Sequence, residues 1–129
     1  MTLDSLTPNA HYDVAHGEPA VIEHDNDGSF LYRLNIVPEY ETDEETGEKK
    51  QIGWSCYETR CWNNADKGTI ERAVIRSVVD DCSEFNLVNS YNKHVLGIKE
   101  DEQAVADYKE YLQFTIDLGN QIDKDLSNI

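Results

Sequence analysis

The chain has 129 residues, 39% of them apolar, and its 26 Asp and Glu against 11 Lys and Arg give a formal net charge of −15. That length fits one domain with one core, and the charge excludes a surface that attracts nucleic-acid phosphates or anionic membranes. With 13 acidic side chains in residues 1–64 and 13 in residues 65–129, the acidity belongs to the whole chain and not to a tail.

Three cysteines, Cys56, Cys61 and Cys82, make an odd number. The opening MTLDSLTPNAHYD lacks a basic stretch followed by an apolar one, and no window is apolar for long enough to span a bilayer. The expectation is a cytoplasmic protein whose thiols stay reduced and pack as buried or half-buried groups.

Residues 1–18, punctuated by Pro8, Gly17 and, just beyond, Pro19, read as a polar arm with one short element near His11–Val14. Ala20–Glu23 reads as a short extended run, and HDNDGS after it as a tight turn. In FLYRLNIV, residues 30–37, Phe30, Tyr32, Leu34 and Ile36 alternate with Leu31, Arg33, Asn35 and Val37, which is a strand pattern. Pro38 should end that strand or place it at an edge. ETDEETGEKK, residues 41–50, has no apolar side chain and predicts an exposed hairpin loop. Gln51–Trp62 resumes as strand, with a change of register near Cys56, and pairs with residues 30–40 in a long ribbon.

After a loop over Asn63–Gly68, Thr69 is the expected N-cap of a helix through IERAVIRSVVDD. Residues 83–99 are rich in both large apolar groups and asparagine, and predict a short helix over 83–91 followed by a packed turn. From Asp101, a candidate cap, Val105, Leu112, Gly119 and Leu126 recur every seven residues beside Tyr108, Thr115 and Ile122. That is about seven turns of amphipathic helix, for core packing or for a subunit contact. Gly119 inside it marks a close contact or a bend. The fold class that follows is α+β: a single domain over residues 1–129, with N-terminal antiparallel β-hairpins packed against two or three C-terminal helices.

Chemistry-bearing motifs are few. Glu23, Asp25, Asp27 and Gly28 imitate the start of a calcium loop, but Leu34 stands where a bidentate glutamate is needed. His11, Asp13, His16 and His24 match no zinc spacing, and Cys56 and Cys61 form no CxxC pair. The expectation is therefore no metal, no cofactor and no catalytic residue. The strongest cluster is Trp54, Tyr57, Arg60 and Trp62 with Glu58 on the second strand, residue types that dominate protein-binding hot spots.

The segments RLNIVPEYETDEETGEKKQIGWSCYE, SEFNLVNSYNKHVLGI and DYKEYLQF give the chain a texture that resembles small uncharacterised proteins encoded in phage-derived regions of gut Bacteroides genomes. The resemblance covers roughly residues 30–126 and implies a phage structural, assembly or accessory role, with no site residues to carry over. The leading expectation is a non-enzymatic interaction or assembly protein that binds a protein partner, itself included as a homo-oligomer, through Trp54, Tyr57, Arg60 and Trp62. An acidic decoy that occupies a host DNA-binding protein is the alternative, and a small hydrolase using His24 or His94 with carboxylates is third.

Overall fold

In a computed structural model, which describes residues 1–128, the chain is α+β: an antiparallel sheet comes first and three helices follow. It forms two compact units, with the sheet in Leu6–Ala65 and the helices in Met1–Ser5 together with the chain from Asp66 onward.

The sheet contains β1 (Ala10–Asp13), β2 (Ile22–His24), β3 (Ser29–Thr42) and β4 (Lys49–Trp62), in the order β1-β4-β3-β2. The β3–β4 hairpin is its spine, paired from Ser29↔Trp62 to Thr42↔Lys49. Pro38 does not end β3. It lies opposite Trp54, and ladder alternation turns its nitrogen outward, where β2 has already stopped at Tyr32. The register change expected near Cys56 is present, but the extra residue sits across from it: Leu34 pairs Tyr57 and Val37 pairs Ser55, so β3 bulges at Asn35, whose φ is 55°. A second irregularity leaves Ile52 unpaired on β4, and the hairpin regains its original register at Tyr40↔Gln51.

Alternation gives the sheet one strongly apolar face. Phe30, Tyr32, Leu34 and Cys61 on it are at most 2% exposed. Glycine is required where β1 meets β4, because a Cβ on Gly53 would collide with the Tyr12 carbonyl.

The helical unit contains α1 (Lys67–Val78), α2 (Asp81–Val95) and α3 (Glu102–Ser127), with α1 and α2 each lying against α3. The cap of α1 is Asp66 and not Thr69. Its carboxylate accepts the Thr69 N–H at 2.8 Å, and Thr69 already lies inside the first turn. Asp101 caps α3 as expected, accepting from Ala104 N at 3.1 Å.

The expected short helix over 83–91 is longer at both ends. Asp80 caps it by accepting the Ser83 N–H at 2.7 Å. Its end is a left-handed turn at Gly97 (φ 73°), where Gly97 N bonds His94 O and Ile98 N bonds Lys93 O. α3 runs through Gly119 without interruption, and the glycine marks a close approach: a Cβ there would stand 3.2 Å from Glu71 Oε1 and 3.6 Å from Lys67 Cε. The seven-residue row is not the buried seam, since Leu112 is exposed while Tyr111, Phe114, Leu118 and Ile122 are buried.

Candidate functional site

The four residues expected to bind a partner do not share a face. Along β4, alternation sets Trp54, Arg60 and Trp62 on one side with Glu58, and Tyr57 on the other with Thr59 and Cys61. Trp54 and Tyr57 are half-buried, whereas Trp62 is 52% exposed. Arg60 is held beside it, donating from Nη1 to Asp25 Oδ2 and to Ser29 Oγ, both at 2.6 Å. The Ser29 hydroxyl in turn donates to Asp27 Oδ1 at 2.5 Å. Hydrogen bonds from the Ser29 hydroxyl and amide hold the Asp27 carboxyl below its ordinary pKa.

The acidic turn that imitates a calcium loop is thus engaged with its own strands, and His24 lies against the Phe30 ring at 5.5 Å. Among the described residues, no three His, Cys, Asp or Glu side chains converge as a metal site would require. His24 and His94 also fall in different units, and His94 accepts the Asp101 N–H at 3.0 Å.

The neighbouring stretch of this face holds a polar network that the sequence reading missed. Glu58 lies across from Arg33, whose side chain is only 1% exposed, and accepts from Arg33 Nε at 3.0 Å. Arg33 Nη2 donates to the Tyr12 hydroxyl at 2.9 Å, Tyr12 donates on to Glu58, and the guanidinium carbon sits 4.8 Å from the Tyr12 ring centre. Arg33 Nη1 reaches the Ala20 carbonyl at 2.9 Å and Glu23 at 3.3 Å.

Because β1 and β2 occupy opposite edges of the sheet, the chain between them must cross β4 and β3. The Arg33 bond to Ala20 fixes that crossing on this face. Asn9 completes the arrangement: its side chain accepts Glu58 N at 2.7 Å and donates to Glu58 O at 2.9 Å, as one more rung of the ladder would. Burial and then the bond to Glu58 push the Tyr12 phenol up from its usual pKa. For Arg33, burial opposes the charge, but the bonds to Tyr12 and Glu58 together outweigh it and raise its pKa. Four of its five N–H groups are committed, so the arrangement ties the crossing segment down and leaves little capacity to bind an anion.

Cys56 and Cys61 are buried and their thiols are shifted up: Cys61 to about 11 by burial, and Cys56 by burial and then by Glu58. Cys82 departs from the expectation of a packed thiol, being exposed on α2. Where α1 ends beside α2 and α3, a groove of about 490 Å³ is lined by Val79, Leu87 and Ala104 and rimmed by Asp80, Asp101 and Asp107. Two of those carboxylates are the caps of α2 and α3, and Asp107 accepts from Gln103 at 2.8 Å.

Exposed apolar side chains concentrate elsewhere in the helical unit. Phe85 is 68% exposed, Val95 59%, Leu96 71% and Ile98 72%, and no residue of α2 is fully buried. No helix is long and apolar enough to cross a membrane among the described residues. No family model, curated protein or solved structure matches the chain.

Proposed function

We propose that the chain is a non-enzymatic protein-interaction module whose sheet engages a partner protein through Trp62 and Arg60 at the end of β4. The observation that carries this reading is the exposure of Trp62 beside a guanidinium already oriented by Asp25 and Ser29. Tryptophan and arginine dominate interface hot spots, and a side chain held in place before binding loses less entropy on docking. A second feature supports it. The last β1 pair is Ala10↔Cys56 and the Asn9 side chain reaches only to Glu58, so β4 is unflanked from Arg60 to Trp62 among the described residues. An extended segment of the partner fits alongside that edge. Trp54 and Tyr57, half-buried, support the surface from within.

The test is affinity capture from nuclease-treated lysate of the native host, with the wild-type chain and with Trp62→Ala and Arg60→Ala in parallel. A partner retained through a high-salt wash by the wild type and lost by both variants supports the reading. A DNA-binding protein that both variants retain and that leaves in high salt refutes it and favours the acidic decoy.

A further inference from the structure

The exposed face of α2 has the spacing of a helix–helix seam. Phe85, Val88, Asn92 and Val95 follow one another at intervals of three, four and three, the a and d positions of two heptads. Phe85, Asn92 and Val95 are exposed and Val88 is half-covered, with Leu96 widening the stripe at its end. The face toward α3 is a different one: Glu84 receives the Tyr111 hydroxyl, and the Tyr91 ring lies tilted against Tyr108, ring centres 4.8 Å apart.

We infer that this face associates with the same face of a second copy, the two α2 helices running antiparallel about a twofold axis midway between Val88 and Asn92. Two observations commit the face to its own copy. In an antiparallel pair an a position meets a d position, and this stripe matches itself under that rule: Phe85 meets Val95 of the other copy, and Val88 meets Asn92. The charges match in the same sense. The first turn of α2 is acidic, with Asp81 and Glu84, and its last turn carries the cation Lys93, with Lys99 just beyond. Antiparallel pairing places each acidic end against a basic end and opposes the helix dipoles, whereas parallel pairing would set Asp81 against Asp81. Asp81 is ion-paired to Arg76 at 2.6 Å yet keeps 86% of its side chain exposed.

Four turns of helix bury less than a standard interface, Asn92 facing Val88 of the other copy costs strength, and a net charge of −15 repels at long range. The dimer is therefore weak, with dissociation in the range of about 0.1 mM. The inference rests on α2 alone and is independent of the Trp62 surface.

Sedimentation velocity from 10 µM to 1 mM, roughly spanning that range, tests it. The expected result is a concentration-dependent shift to dimer, abolished by Phe85→Glu and tightened about tenfold or more by Asn92→Leu. Because these side chains are exposed, the variants fold. A chain that stays monomeric at the highest concentration, or that dimerises equally with Phe85→Glu, overturns the proposal.

Disulfide trapping in a Cys82→Ser background checks the register. A mixture of the Val88→Cys and Asn92→Cys proteins cross-links, and neither protein does so alone, because like positions are offset by about 6 Å along the axis and exceed disulfide reach. Equal cross-linking of each single variant with itself would refute the antiparallel register.

Discussion

Replacing Arg33 tests the account of the sheet most directly. The wild-type side chain is 1% exposed and donates to Glu58, Tyr12 and Ala20 at 2.9–3.0 Å. Arg33→Ala removes the cation and leaves the Glu58 carboxylate, 19% exposed, with only the Tyr12 hydroxyl and such water as reaches it. Breaking a buried pair from one side costs about 3–5 kcal/mol, and the partial exposure of Glu58 places this case near the lower end, at about 3 kcal/mol. The charge pair itself is not what stabilises most. Its removal as a unit, in Arg33→Met with Glu58→Leu, returns most of that loss, because no uncompensated charge stays in the sheet. Urea unfolding followed by the fluorescence of Trp54 and Trp62, both on β4, measures the two variants. The crossing segment reports independently: Arg33 N bonds Val21 O at 2.8 Å, and amide exchange there should quicken in Arg33→Ala. A loss below about 1 kcal/mol in Arg33→Ala, or a double variant no better than the single one, would refute the reasoning.

Four further outcomes follow from the same geometry. Among the described residues Thr59 Oγ1 is buried without a hydrogen-bond partner, so Thr59→Val should raise stability by about 1 kcal/mol, read as a higher urea midpoint with unchanged slope. Gly119→Ala meets only the movable ends of Glu71 and Lys67 and should gain about 0.5–1 kcal/mol of helix propensity, whereas Gly53→Ala strikes the Tyr12 backbone and should cost more than about 2 kcal/mol. Of the three thiols, a disulfide reagent at mildly alkaline pH should titrate Cys82 at once, and Cys56 and Cys61 only on denaturation. Tyr111 is pushed up to about 12 by burial and by its bond to Glu84, which lies below its ordinary pKa through Tyr111 and then Arg76. The raised phenol contributes stability in full below about pH 10 that is lost as pH climbs through about 12, and the lowered carboxylate contributes above the ordinary glutamate range and fades in acid. Ultraviolet titration should show late tyrosines, of which Tyr111→Phe removes one and leaves Tyr12.

What the sequence discloses here is what local pattern controls. Alternation from Phe30 to Leu34 announces β3 because each step exchanges a buried side chain for one on the opposite face, and the periodicity after Asp101 announces α3 in the same way. β1 and β2 are too short to carry such a signal: β1 owes its place to the close approach at Gly53 and to the Asn9 side chain, both set by partners some 40 or more residues away. The ends of α2 were obscured for a related reason. Asparagines at 86, 89 and 92 lower its intrinsic propensity, while the Asp80 cap, the Gly97 turn and the Tyr111–Glu84 contact supply what propensity does not. At α1 the signal was present, since aspartate caps at least as well as threonine and Asp66 precedes Thr69 by three residues.

The candidate site divides along the same line. That Tyr57 faces away from Trp54, Arg60 and Trp62 is legible in the parity of the numbers once β4 is known to run unbent between them. That Glu58 meets Arg33 is not, because it depends on the register, and the register depends on a loop whose length is fixed only when the bulges at Asn35 and Ile52 offset each other. A lone arginine amid FLYRLNIV is nevertheless a signal in itself. A guanidinium in the middle of a strand that buries one face needs an acceptor across the ladder, and Glu58 is the only carboxylate that β4 offers between Lys49 and Trp62. The same requirement separates the two kinds of charge in this protein. Arg33 is enclosed and orders the chain around it, whereas Arg60, near the end of β4, is exposed and ion-paired to Asp25.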